Sequence, residues 1–124
     1  MTGIIWNDQQ PIFKQLKEKV VELIIDGVVK EGESVPSVRQ VAADYQINPL
    51  TVSKAYQELV DEGILEKRRG LGMFVTKSAR NNLLNSEKDR FINQEWPKII
   101  DKINRLGLSL ESLEANKMNK GGIQ

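Results

Sequence analysis

The chain has 124 residues, of which 40% are hydrophobic and 28% charged, and its formal net charge is +1. This composition fits one compact domain, or a small domain with an appendage. The absence of cysteine and histidine excludes disulfides, thiol chemistry and imidazole-based catalysis or metal binding. No nucleophile with an activating partner is recognisable, so we expect no enzyme, no cofactor and no metal site.

The distribution of charge is more informative than its total. Residues 1–77 hold ten Lys/Arg against eleven Asp/Glu, yet Lys67, Arg68, Arg69 and Lys77 lie close together with only Glu66 opposing them. Contact with phosphates requires a local basic cluster of this kind, whatever the overall charge. No apolar run approaches the ~20 residues of a membrane-spanning helix, so we expect a cytoplasmic protein that has no membrane partner.

Two helices are predicted before residue 45. The first begins at Pro11, has apolar residues at helical spacing, and ends at Gly27. A turn-rich connection, residues 30–36, leads to a second helix from Ser37 to Asp44, whose start (SVRQ) is a Ser-x-x-Gln capping box.

A tight turn of four residues then leads to a third helix and a hairpin. Asn48 caps this helix, Pro49 takes its first position, and Gly63 ends it. Residues 64–67 and 73–76 are predicted to be two short strands joined by the loop RRGLG. The fold class is therefore mainly α with a small β-hairpin, in the order of a winged helix-turn-helix.

The start of the third helix is the candidate element for reading DNA. A helix anchored by an apolar inner face can offer its N-terminal turn to the major groove, which is ~12 Å wide. We expect Thr51, Ser53 and Lys54 to meet base edges or the backbone. Leu50 would contact a thymine methyl group. The alternative for these residues is a plain solvated helix face.

Two further basic elements flank this helix in the sequence. Arg39, in the first turn of the second helix, can reach the same groove and bind a guanine, unless it forms a surface ion pair with Asp44 or Glu33. Arg68 and Arg69 at the hairpin tip can straddle a phosphate or enter the minor groove. The alternative for the hairpin is a charged edge that blocks aggregation.

The C-terminal part is predicted to be helical. A flexible polar bridge, KSARNN, leads into it, and Pro97 is expected to kink or break the helix. An aliphatic stripe fits a partner surface in a homodimer better than a fold-back onto the chain's own first domain. Its residues are Leu84, Phe91, Ile92, Ile99, Ile103 and Leu106. We divide the chain into a winged helix-turn-helix DNA-binding domain (1–77) and a helical dimerisation region (78–124).

About residues 10–77 closely resemble the DNA-binding domain of GntR-type bacterial transcription regulators. The motifs VPSVRQVA, NPLTVSKAY and GLGMFV carry this resemblance. The short C-terminal part, including RLGLSLESL, is similar to the YtrA subfamily, in which this part is a small helical dimerisation unit.

The resemblance implies a homodimeric regulator, usually a repressor, that binds a palindromic operator. In the YtrA subfamily the targets are commonly ABC-transporter genes. By matched position, the resemblance places DNA contacts at Ser37, Arg39, Asn48, Pro49, Thr51, Ser53, Lys54, Arg69, Gly70 and Gly72. Leu50 departs from the polar residue, often Asn, that the family has there.

Two questions stay open at this level. A small-molecule effector of unknown identity would act by reorienting the two DNA-binding domains through the helical region. The alternative function is a winged-helix protein-interaction module without DNA binding, which the net charge of −1 over residues 1–77 favours.

Overall fold

The computed structural model describes the backbone of residues 6–121 and the side chains of residues 6–116. The chain divides into two compact units between Asn85 and Ser86, eight residues beyond the boundary predicted from the sequence. The candidate DNA-binding residues all lie in the first unit.

Three helices form the scaffold of the first unit: α1 (Ile12–Ile25), α2 (Val38–Tyr45) and α3 (Pro49–Asp61). They confirm the three predicted helices with small shifts at their ends. Both α1 and α2 pack against α3, because each carries apolar residues along one face. The fully buried large side chains of this core are Leu16, Val20, Ile24, Val41, Val52, Tyr56, Leu59, Leu65 and Val75.

Side-chain caps fix where α2 and α3 begin. Ser37 Oγ accepts a hydrogen bond from the backbone N–H of Gln40 at 3.1 Å. Asn48 Oδ1 accepts one from the N–H of Leu50 at 2.9 Å. Each cap satisfies a backbone donor that a helix start leaves unpaired. The second bond of the predicted capping box, from the Ser37 N–H to the Gln40 side chain, is not formed among the described residues.

The hairpin consists of β1 (Leu65–Arg68) and β2 (Gly72–Val75), which are antiparallel. Both strands lie one residue nearer the loop than predicted, which leaves a three-residue loop, Arg69–Leu71. Gly70 (φ +76°) and Gly72 (φ +111°) adopt backbone conformations that glycine takes most easily. We call this hairpin and its loop the wing.

The connection between α1 and α2 pairs with the wing, a feature that the sequence analysis missed. Gly32 N donates to Val75 O at 2.8 Å, and Val75 N donates to Glu33 O at 2.9 Å. Val35 N donates to Met73 O at 3.0 Å. The connection thus adds a short irregular strand beside β2, and this holds the start of α2 next to the wing.

The prediction of a flexible bridge at residues 77–82 is wrong, because α4 (Ala79–Arg90) begins within this segment. Ala79 and Leu83, four residues apart on one helix face, are buried in the core of the first unit. Arg80 Nε also donates to the backbone oxygen of Ile25 at 2.9 Å. These contacts order the segment that the polar composition marked as a linker.

The second unit contains a π-helical segment (Phe91–Glu95), α5 (Trp96–Arg105) and α6 (Leu110–Gly121). Pro97 does not break the chain of helical residues, because Trp96 φ/ψ (−59°, −44°) is helical and its N–H donates to Phe91 O. A proline lacks its own N–H and crowds the preceding turn. The wider π turn directly before Pro97 accommodates both effects.

Candidate nucleic-acid interface

The first turn of α3 is open to solvent, and the opposite face of the helix is packed into the core. Asn48, Pro49 and Ser53 are exposed, and Leu50 is 76% exposed. On the opposite face Val52, Ala55, Tyr56 and Leu59 are fully buried. The turn therefore offers small polar groups, one leucine and the positive end of the helix dipole to a partner. Thr51 is half-buried at the edge of this surface.

Tyr56 fixes α2 relative to α3. Its side chain is fully buried, and its hydroxyl donates to the backbone oxygen of Pro36 at 2.7 Å. Burial raises the pKa of Tyr56 above its ordinary 10.0, so the hydroxyl remains a donor. Since Pro36 immediately precedes the cap of α2, this bond sets where the first turn of α2 lies. The sequence pattern predicts only that Tyr56 is buried, because no local signal reveals its distant acceptor.

Arg39 lies exposed in that first turn. Of the ion pairs formed among the described residues, none involves Arg39. The surface pair with Asp44 or Glu33, considered from the sequence, is therefore not formed. The guanidinium keeps its donors for another partner, and its planar fork suits a guanine edge or a phosphate.

The two arginines of the wing differ in their surroundings. Arg68 Nη2 lies 2.9 Å from Glu66 Oε1, and its Cζ lies 4.2 Å from the ring centroid of Phe74. Arg69 is exposed in the loop and forms no ion pair with another described residue. Arg69 is thus the available cation of the wing tip, whereas Arg68 is held on one face of the hairpin. Leu71, which the sequence analysis did not select, is 71% exposed at the tip.

Lys54 lies in the second turn of α3 and faces α1. Its Nζ is 4.0 Å from the ring centroid of Phe13. Further along the same interface, Lys17 Nζ lies 3.2 Å from Glu58 Oε1 and also pairs with Glu62. Lys54 is exposed, so its ammonium group is held by α1 on one side and open on the other.

The candidate dimerisation residues differ in exposure. Ile92 is 59% and Leu106 62% exposed in the second unit, where Phe91 and Ile99 are exposed as well. Ile103, by contrast, is only 8% exposed. Leu84 is half-buried and belongs to the first unit. Two exposed leucines that the sequence analysis did not select, at positions 108 and 110, extend the apolar surface of the second unit.

Comparison with known proteins identifies the family. Residues 13–75, which include every candidate DNA-contacting residue, match the family described as bacterial regulatory proteins, gntR family. The chain belongs to the GntR family. This confirms the predicted resemblance, and because the family consists of regulators, it also bears out the prediction that the chain is no enzyme.

Individual GntR proteins extend the likeness beyond the winged helix. The HTH-type transcriptional repressor YtrA of Bacillus subtilis is 38% identical over 103 residues, covering 83% of this chain and 78% of YtrA. A GntR family regulator from Listeria monocytogenes has a TM-score of 0.72 at 26% identity, with 92% of this chain and 98% of that one covered. The mainly helical fold with a small hairpin is thereby confirmed.

A second solved structure includes a bound operator. The structure of AraR(DBD) in complex with operator ORX1 has a TM-score of 0.53 at 25% identity and covers 61% of this chain and 92% of that chain. Among the described residues of this chain, no cluster of acidic side chains is placed to hold a metal ion. No helix in the same part is long and apolar enough to cross a membrane.

Proposed function

We propose that this GntR protein is a homodimeric transcriptional repressor that binds a palindromic DNA operator. The observation that carries this proposal is the solvent-exposed first turn of α3, where Leu50 is 76% exposed on a helix whose other face packs into the core. A surface of this kind leaves a helix end free to enter a groove while its packing stays intact. Arg39 and Arg69 supply cations without ion-pair partners among the described residues.

The comparisons support the same function. The B. subtilis relative is named a transcriptional repressor, and AraR(DBD) has been solved with an operator. Resemblance to the YtrA subfamily favours an ABC-transporter operon as the target. We propose that the protein acts in the cytoplasm, where such an operator would lie. The small-molecule effector stays a prediction.

The homodimer is supported by the exposed apolar residues of the second unit. Phe91, Ile92, Ile99 and Leu106 are large apolar side chains that a monomer leaves in water. A two-fold partner covers such a surface and also matches two half-sites about one helical turn apart on DNA. We assign these four residues to the dimer seam. Ile103 and Leu84 then act as internal supports because they are more buried.

DNA binding is tested by selecting sequences from a random duplex pool and titrating the recovered duplex over a range of salt concentrations. We expect a palindrome, and an affinity that falls steeply with salt because phosphate contacts release counterions. Arg39→Ala should relax base specificity at one position of each half-site. The matched control is Lys30→Ala, which removes an exposed charge from the same unit, outside the proposed surface. Recovery of no sequence, with no salt dependence, would favour the alternative interaction module.

The dimer is tested by sedimentation of Ile92→Glu. A carboxylate at a desolvated seam is costly, so the variant should be monomeric at concentrations where the unmodified chain is a dimer. Its affinity for the palindrome should fall while binding to a single half-site remains. Val28→Glu is the control, because Val28 is similarly exposed (66%) but lies in the first unit. If both variants sediment as the unmodified chain does, the assigned seam is wrong.

A further inference from the structure

Lys54 is the only lysine of α3, and its charge is not neutralised within the described part of the chain. Its usual partner would be Glu58, one turn further along the same helix, since residues four apart are neighbours on a helix surface. In the structure Glu58 instead pairs with Lys17 of α1 at 3.2 Å, and Lys17 also pairs with Glu62. The nearby carboxylates are therefore already occupied.

The Lys54 ammonium group lies on an aromatic ring instead. Phe13 is half-buried on α1, four residues before Lys17, and its ring centroid is 4.0 Å from Lys54 Nζ. A ring face attracts a cation through its quadrupole without neutralising the charge. An ammonium group carries three N–H donors, and the ring occupies one side of it. The remaining donors face outward because the Lys54 side chain is exposed.

We propose that Phe13, which lies outside the helix-turn-helix, is a positioning residue that holds the Lys54 ammonium group ready for a DNA phosphate. This inference rests on the proposed function. A free lysine loses much rotamer freedom when it is fixed against a phosphate. The ring fixes the side chain before DNA arrives and remains in contact afterwards, so part of that entropy is lost on folding rather than on binding.

The test is a double-mutant cycle on the duplex recovered by selection from the random pool. Phe13→Leu should weaken binding about two- to five-fold, a part of the cost of ordering a lysine side chain, because that cost then falls on binding. In a Lys54→Met chain the same Phe13→Leu change should leave the affinity unaltered, because the group that it positions is gone. Phe13→Tyr, which keeps the aromatic face, should bind as the unmodified chain does.

Salt dependence separates positioning from general damage to the fold. Lys54→Met should reduce the slope of log affinity against log salt by about one, the value for one lost phosphate contact. Phe13→Leu should leave the slope nearly unchanged, since the contact is still made, but less often. Urea unfolding of each variant verifies that it is folded at the assay temperature.

Three results would overturn the inference. One is an equal loss from Phe13→Leu with and without Lys54, which would mean that Phe13 acts through the fold or touches DNA itself. Another is an unchanged or higher affinity for Phe13→Leu alone. The third is an unaltered affinity and slope for Lys54→Met. In all three cases the unmodified chain still binds the duplex and the proposed function stands, whereas no binding by the unmodified chain would refute the function first.

Discussion

Replacing Tyr56 by Phe tests how the reading surface is assembled. The change removes one oxygen from a fully buried ring and, with it, the 2.7 Å hydrogen bond to Pro36 O. The ring itself keeps its packing. The variant therefore isolates the bond that joins α3 to the residue just before the cap of α2.

The expected loss in the free energy of unfolding follows from the buried acceptor. A typical internal hydrogen bond contributes about 0.5–1.5 kcal/mol net, and leaving a buried partner unsatisfied costs about 1–3 kcal/mol. Since Pro36 is only half-buried and water can reach its oxygen in part, we expect a loss of about 1–2 kcal/mol. Urea unfolding monitored by circular dichroism measures this loss. The slope of the unfolding free energy against urea concentration should be the same in both chains.

Tyr45→Phe is the matched control. Tyr45 is half-buried, its ring packs edge-on against Trp6 at 6.2 Å, and its hydroxyl has no partner among the described residues. This variant should lose less than about 0.5 kcal/mol. Equal effects of the two substitutions would refute the reasoning, because the Pro36 bond would then contribute nothing measurable.

The dependence on pH provides a second check. The pKa of Tyr56 is raised by burial in the folded chain, whereas in the unfolded chain it stays near 10.0. Below pH 10 the neutral Tyr56 hydroxyl makes its full contribution to the free energy of unfolding. As the pH rises above 10, the unfolded chain releases this proton before the folded chain does, so the free energy of unfolding falls by at most about 1.4 kcal/mol per pH unit for one group. The phenylalanine variant lacks this contribution, so the stability gap between the two chains should narrow, and can reverse, in alkali.

Three further outcomes follow from the caps and the wing. Asn48→Ala should lower the free energy of unfolding, measured by urea titration, by about 1 kcal/mol because it removes the cap of α3. Asn48→Asp should keep most of the stability, because aspartate also caps a helix. Arg69→Ala should weaken binding to the selected duplex more than Arg68→Ala in a fluorescence anisotropy titration, because Arg68 already pairs with Glu66; the reverse order would contradict this assignment. Gly70→Ala should lower the thermal midpoint, since φ +76° costs an alanine about 1 kcal/mol, and Gly70→Asn should cost less.

Local signals in the sequence predict much of the fold and of the candidate surface. Ser37, Asn48 and Pro49 mark the starts of α2 and α3 because capping depends on residues only two or three apart. The exposed first turn of α3 follows from the same pattern, since apolar residues at helical spacing define the face that must be buried. These features were predictable because each is determined within one helix.

Contacts between distant residues were not predictable. The bond from Tyr56 to Pro36 spans 20 residues, and the contact of Arg80 with Ile25 O spans 55. No periodic pattern encodes such partners, because they depend on how the helices pack. The same limit explains why the sequence around Ala79 predicts a linker although the segment is helical. Its polar composition is real, but two apolar residues on one face, Ala79 and Leu83, are enough to pack it against the core.

The wing shows how a shift of one residue changes a functional interpretation. Ending the first strand at Lys67 places both arginines in the loop, whereas in the structure Arg68 is the last residue of β1. Side chains two residues apart in a strand share a face, so Arg68 lies on the face of Glu66. Phe74 is the cross-strand partner of Glu66 and lies there too. The pairing of the two strands therefore supplies Arg68 with both a carboxylate and a ring. Of the two arginines, Arg69 is the one that the wing can offer to DNA.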